Sequence, residues 1–146
     1  MKTLTVPGNI ESLGAISHYV QQAAETANLN PKAAYKLRLA VDEITTNIVI
    51  HGYEEAGRMG EIHLHAEIDD RNLILAIEDT GVLYNPTQKA TLQPEYFNQK
   101  LESRDIGGLG VYLVLESVDE FYYQQIGDRN RNVFVMHRRW TRLLIL

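Results

Sequence analysis

The chain has 146 residues, 45% of them hydrophobic and 23% charged, the profile of a soluble globular protein of one domain, residues 1–146, with enough chain to bury a core unaided. A formal net charge of −5 argues against general nucleic-acid binding, and the short basic cluster Arg138, Arg139 and Arg142 does not reverse it. There is no cysteine, which excludes disulfides, thiolate zinc sites and cysteine nucleophiles and mildly favours a reducing compartment.

The N-terminal "MKTLTVPGNI" lacks the apolar core of a signal peptide, and no apolar run approaches the ~18 residues of a membrane span, so a cytoplasmic protein is expected. Lys2–Val6 alternates and stops at Pro7-Gly8, reading as a short edge strand. Asn9 is placed as N-cap of a helix whose Ile10, Leu13, Ile16 and Val20 recur at helical spacing. Asn30-Pro31 opens a second helix, cap then proline; Leu37, Ala40, Val41, Ile44 and Ile48 form its buried stripe and Gly52 is expected to end it. "EIHLHAEI" alternates, with Ile62, Leu64, Ala66 and Ile68 on one face and His63, His65 and Glu67 on the other. "DDRN" makes a turn into "LILAIED", which is more continuously apolar and so more central.

From Thr80 to Ile106 the chain is polar and holds Pro86 and Pro94, about twice the length at which an unstructured loop becomes unusual, and so reads as functional. "GGLGVYLVLESV" opens a third helix on glycines; "EFYYQQI", "GDRN" and "RNVFVMHRRW" form a closing hairpin. The job of the apolar C-terminal "RLLIL" is not legible. This order predicts an α+β two-layer sandwich, three helices on one face of a mixed, mostly antiparallel sheet.

Three stretches carry possible chemistry. In "DEITTNIVIHGY", Glu43, Asn47 and His51 stand four residues apart, each about 40° further round the helix at the rim of the apolar stripe. They are either solvated flank residues beside a near-core histidine or the edge of a cleft. In "IEDTG", Asp79 leaves the end of an apolar strand, where its carboxylate can accept an exocyclic amine, and Gly81 allows a flat ligand close to the backbone; a plain Asp-x-Gly turn explains the same residues. In "RDIGGLGVYLV", Gly107, Gly108 and Gly110 precede an apolar helix, either as exposed amides for phosphate or as a hinge. A dinucleotide fingerprint needs a strand directly before it and a third glycine, and a Walker A loop needs Gly-Lys-Ser/Thr; both are missing.

In this order the three resemble the N box and the two glycine boxes of the GHKL ATPase superfamily, and the chain is similar to its HATPase_c_2-type anti-sigma-factor serine kinases. The resemblance spans essentially the whole chain and implies a Bergerat-type ATP-binding fold. By position, it implies that Glu43 is the general base and Asn47 a ligand of Mg²⁺, with His51 supporting the site beside it. It also implies that Asp79 holds adenine with Gly81 near the ring, that the amides of Gly107, Gly108, Leu109 and Gly110 cradle phosphate, that Arg104 contacts the γ-phosphate and that residues 87–106 form the ATP lid. Leu83 stands where many members carry a second glycine. The implied function is ATP-dependent phosphorylation of a serine on a STAS-type antagonist, regulating a sigma factor, by a homodimer touching neither nucleic acid nor membrane. The alternative is a non-catalytic, ATP-gated switch that holds a partner. A histidine kinase would need a phospho-accepting helical hairpin, and a cycling ATPase a transducing domain; neither is in this sequence.

Overall fold

The computed structural model describes residues 1–88 and 106–138, side chains at 106–109 and 113 excepted. Strand β1 (Leu4–Pro7) is followed by a 3₁₀ turn (Ile10–Ser12), α1 (Leu13–Thr26) and α2 (Pro31–Asn47), which continues as a π-helix (Ile48–Glu54). The hairpin β2 (Glu61–Ile68) and β3 (Asn72–Asp79) comes next, then a 3₁₀ turn (Pro86–Gln88), α3 (Ile106–Ser117), and the hairpin β4 (Glu120–Ile126) and β5 (Arg129–His137). The sheet order is β1-β2-β3-β5-β4. Every pairing among these strands is antiparallel, so the parallel component allowed for by the sequence is absent among the described residues. The physical reason is that each pair is joined by a hairpin or by a path that returns the chain in the opposite sense.

The alternation in β2 resolves as expected. Ile62, Leu64 and Ala66 are buried against α1 and α2, while His63 and His65 accept or donate hydrogen bonds to the hydroxyls of Thr5 and Thr3 on the opposite face. Strand β3 is central, and its Leu73, Leu75 and Ile77 meet Ile16, Val20, Leu37, Val41 and Phe134 in one apolar core. Tyr19 closes the edge of that core: its hydroxyl donates to Lys2 O at 2.7 Å and accepts from Ala66 N at 3.0 Å. Asp69 sets the β2–β3 turn by accepting from the amides of Arg71 and Asn72, both at 2.8 Å, and these bonds hold its carboxyl below the usual carboxylate range.

Helix boundaries follow local chemistry, with two departures. Asn30 caps α2, accepting from Ala33 N at 2.8 Å, with Pro31 in the first turn. Helix α1 ends in a Schellman motif: Asn28 takes φ 57° and Leu29 N–H reaches back to Ala24 O. Asn9, however, makes no side-chain cap bond; it accepts from the Ser12 hydroxyl across a 3₁₀ turn, so the α-helix proper starts at Leu13. Nor does Gly52 end the second helix. The chain widens there into i→i−5 bonding, with Glu55 N–H donating to Ile50 O at 2.8 Å, and Gly52 lies inside the π-turn. None of the helices among the described residues is long and apolar enough to cross a membrane.

Candidate active site

Two of the three sequence stretches meet at one cavity, and among the described residues the third touches the first through Gly110 against Glu43 without lining that cavity. A cavity of about 370 Å³ has the C-terminal part of α2 and the π-turn as one wall (Ile44, Asn47, Ile48, His51 and Gly52). Asp79, Asn130 and Asn132 at the ends of β3 and β5 form its floor, and Val82, Leu83, Tyr84 and Pro86 form the loop side. The walls are mostly aliphatic and the floor polar, the composition of a pocket for a flat, weakly polar ligand that is read at one end.

Asp79 is the last residue of β3 and is 1% exposed. Its Oδ1 accepts from Gly81 N at 2.9 Å and from Asn130 Nδ2 at 3.0 Å. Its Oδ2 is buried and has no partner. Burial pushes the carboxyl above the ordinary aspartate range, against the two hydrogen bonds that pull it down. Asn130 is the clamp: its amide also donates to Val82 O at 3.0 Å, while its oxygen accepts from Tyr84 N at 2.9 Å and from the Tyr123 hydroxyl. The Tyr123 phenol is in turn pushed up by burial and by the neighbouring Asp79 charge.

Gly81 is where the loop meets the helix. A Cβ on it would lie 2.9 Å from Gly52 O and 3.0 Å from Gly52 Cα, and Val82 N–H donates to Gly52 O at 3.0 Å. The close approach that glycine permits is therefore made by the π-turn backbone, with Gly52 rather than Gly81 on the cavity surface. Tyr53, buried beside it, accepts from Thr80 N at 2.8 Å and donates to Glu61 O at 2.7 Å, pinning the residue between Asp79 and Gly81.

On the helix, Asn47 Nδ2 donates to Glu43 Oε1 at 3.4 Å. Asn47 lines the cavity; Glu43 sits one turn back and is covered by α3, where a Cβ on Gly110 would fall 1.8 Å from Glu43 Oε1. His51 is exposed at the cavity rim and bonds Glu55 Oε1 through Nδ1 at 2.7 Å. Gly107, Gly108 and Leu109 fall in the first turn of α3. Arg104 lies outside the described residues, as does residue range 89–105 of the expected lid.

The geometry adds Asn130, Asn132, Gly52 and Tyr53 to the residues found by sequence. The two asparagines had a readable signal. Met136 and Phe134 face the core, and the same alternation brings Asn132 and Asn130 to the core side of β5, where an unforced sequence places apolar residues.

The half-satisfied carboxylate yields the first prediction. Because its folded pKa is raised, Asp79 contributes stability below its unfolded pKa that is lost as pH rises through the folded value. Asp79→Asn removes the buried charge, so the variant should unfold at an equal or higher temperature than wild type at pH 7, with the gap closing as pH falls toward 4. Its affinity for an adenine nucleotide should nevertheless drop by roughly 5- to 100-fold, since an amide no longer presents two acceptors. Thermal melts across pH and a binding titration check both; a destabilised variant with unchanged affinity would contradict the assignment.

Residues 6–138 match the family described as histidine kinase-like ATPase domain, HATPase_c_2. Among curated proteins the chain is 27% identical over 118 residues to a serine-protein kinase RsbW of Staphylococcus aureus (strain MSSA476), covering 80% of this chain and 74% of that one. It is 30% identical over 128 residues to a serine-protein kinase RsbW of Listeria innocua, covering 84% and 80%. Among solved structures it superposes on a chain of the SiaB–SiaC complex from Pseudomonas aeruginosa with a TM-score of 0.58 at 13% identity, covering 94% of this chain and 89% of that one. The histidine kinase domain of the Erythrobacter litoralis EL346 blue-light activated histidine kinase gives a TM-score of 0.51 at 14% identity, covering 88% and 60%. The order of motifs, the antiparallel sheet backed by three helices and the match over nearly the whole chain agree, and this chain belongs to the HATPase_c_2 family of GHKL-type, histidine kinase-like ATPase domains.

Proposed function

We propose that the chain binds ATP in this cavity and transfers its γ-phosphate to a serine of a STAS-type antagonist, and thereby regulates a sigma factor or a similar signalling partner. The observation that carries the reading is the buried Asp79 carboxylate. It has one free oxygen at the floor of an aliphatic cavity whose helical wall carries Asn47, one turn from Glu43. Similarity to serine-protein kinases over four-fifths of the chain supports the reaction class.

In this reading Asp79 Oδ2 accepts from the exocyclic amine of adenine, and Ile44, Ile48, Val82 and Leu83 cover the faces of the base. The amides of Gly107, Gly108, Leu109 and Gly110, with Arg104, receive the phosphates. His51, held by Glu55, supports the rim beside Asn47. The Asn47 side chain suits Mg²⁺: its Nδ2 is turned to Glu43, which leaves Oδ1 as a hard oxygen donor. The described residues hold no cluster of three His, Asp or Glu side chains able to bind a metal, so the remaining ligands would be phosphate oxygens and water, as Mg²⁺ prefers. When bound, the ion offsets the negative charge of the phosphates.

The residues of the chain then position and deprotonate. The serine oxygen bonds to the γ-phosphorus, the bond from that phosphorus to the β–γ bridging oxygen breaks, and ADP leaves with the electron pair. The hydroxyl proton passes to the Glu43 carboxylate. The protein works in the cytoplasm as a homodimer, with protein partners only. One observation favours the non-catalytic, ATP-gated switch instead: Glu43 lies packed against Gly110 and bonded to Asn47 rather than on the cavity surface. A pure switch requires nothing more of it.

Transfer of radiolabelled γ-phosphate to the STAS protein co-purified with the chain separates the two. Wild type should transfer label, and Glu43→Ala should bind ATP within about twofold of wild type yet transfer at least ~100-fold more slowly. ATP binding without transfer by either protein would leave the switch. Gly110→Ala should also lose transfer, because its Cβ must displace the Glu43 carboxylate; it should cost about 1–3 kcal/mol of stability. Full transfer by this variant would show that Glu43 does not act from its observed place.

A further inference from the structure

The cavity floor holds a second buried acceptor with no partner. Asn132 is 2% exposed, lines the same cavity as Asp79, and its Oδ1 has no hydrogen bond. Buried polar side chains are bonded in the great majority of cases, so two orphans on residues that line one cavity call for a shared explanation. Asn130 shows what a structural asparagine looks like here, because all its bonding capacity is taken up by Asp79, Val82, Tyr84 and Tyr123.

The two orphans are placed by the strand register. Asp79 stands opposite Asn130 and Ile77 opposite Asn132. Asp79 and Asn132 are therefore diagonal neighbours on one face of an antiparallel ladder, about 7–8 Å apart at the backbone. One nitrogen donating to two oxygens at ~2.9 Å each bridges such a gap. Both orphans are acceptors, so a single group that satisfies both must bring two hydrogen-bond donors. The adjoining walls are aliphatic, which disfavours a free ammonium and suits the amine of a flat heterocycle.

Resting on the ATP-binding reading above, we propose that Asn132 is a specificity-determining residue that accepts the second N–H of the exocyclic amine while Asp79 accepts the first. The site thus reads an amino-purine by both hydrogens, and rejects an oxo-purine, whose carbonyl oxygen would face two acceptors. Asn130 is the positioning residue that fixes Asp79 for this contact.

The test is a binding cycle between two ligands, ATP and the triphosphate of purine riboside, which lacks the amine, and two proteins, wild type and Asn132→Leu. Wild type should prefer ATP over the amine-free ligand by a factor that falls about tenfold in Asn132→Leu, while affinity for the amine-free ligand stays within about twofold. GTP should bind wild type more weakly than the amine-free ligand. Equal weakening of both ligands by Asn132→Leu would overturn the proposal and make Asn132 a structural residue, while ATP binding by wild type would leave the ATP-binding reading standing. No measurable ATP binding by wild type would overturn the ATP-binding reading itself. Should Asn132→Leu fail to fold, side-chain amide resonances of wild type give the same answer. The Asn132 NH₂ signal should shift with ATP and stay with the amine-free ligand, and identical shifts with both would contradict the proposal.

Discussion

The backbone contact between Gly52 and Gly81 sets the distance on which the site depends. With no Cβ at Gly81, the π-turn and the loop after β3 approach until Val82 N–H bonds Gly52 O at 3.0 Å. A Cβ at Gly81 would meet three backbone atoms of Gly52 within 3.0 Å and force the helix away from the sheet end. Because Asp79 is two residues before Gly81 and Asn47 five before Gly52, this one contact fixes the cavity floor and the helical wall relative to each other. Tyr53 repeats the constraint from the buried side, holding Thr80 between the strand and the start of β2.

Around that fixed gap the protein keeps an arrangement that folding alone does not favour. A carboxylate that is 1% exposed with one oxygen unbonded carries a desolvation cost, visible as its raised pKa, and Asn132 adds an unbonded amide oxygen close by. Elsewhere among the described residues the buried side-chain polar groups are matched, and at the surface Glu78 meets Arg129 and Arg131, while Tyr19 both donates and accepts. Among the described residues the imbalance is confined to the cavity floor, where a ligand with donors would remove it. Glu43 differs, since it is not buried without bonds but is occupied by Asn47 and covered by Gly110. Access to it depends on how α2 and α3 sit against each other.

The sequence carried the fold well where a rule of periodicity applied. Period two in "EIHLHAEI" placed Ile62, Leu64 and Ala66 inward, and the continuous run in "LILAIED" identified the central strand. Asn30-Pro31 announced its helix because cap and proline act on local backbone groups alone. The π-turn was not legible, since one extra residue in a helical turn leaves the apolar stripe almost unchanged, and Gly52 imitated a helix end. Of the residues that motif order named, Asn47, His51 and Asp79 line the cavity and Glu43 lies one turn away. The partners that give Asp79 its state were not found, because Asn130 lies 51 residues further on and meets it only through the β3–β5 register. Arg104 and the expected lid fall largely outside the described residues.

The central claim is that the cavity beside Asp79 is where nucleotide binds. A titration of isotopically labelled protein with a non-hydrolysable ATP analogue and Mg²⁺, followed by amide resonances, tests it most directly. The account predicts the largest shifts at Gly52, Gly81, Val82 and Asn132, with His63 and His65 on the opposite face of the sheet unmoved. Saturable shifts on the His63/His65 face with Gly52, Gly81 and Asn132 unchanged would contradict it.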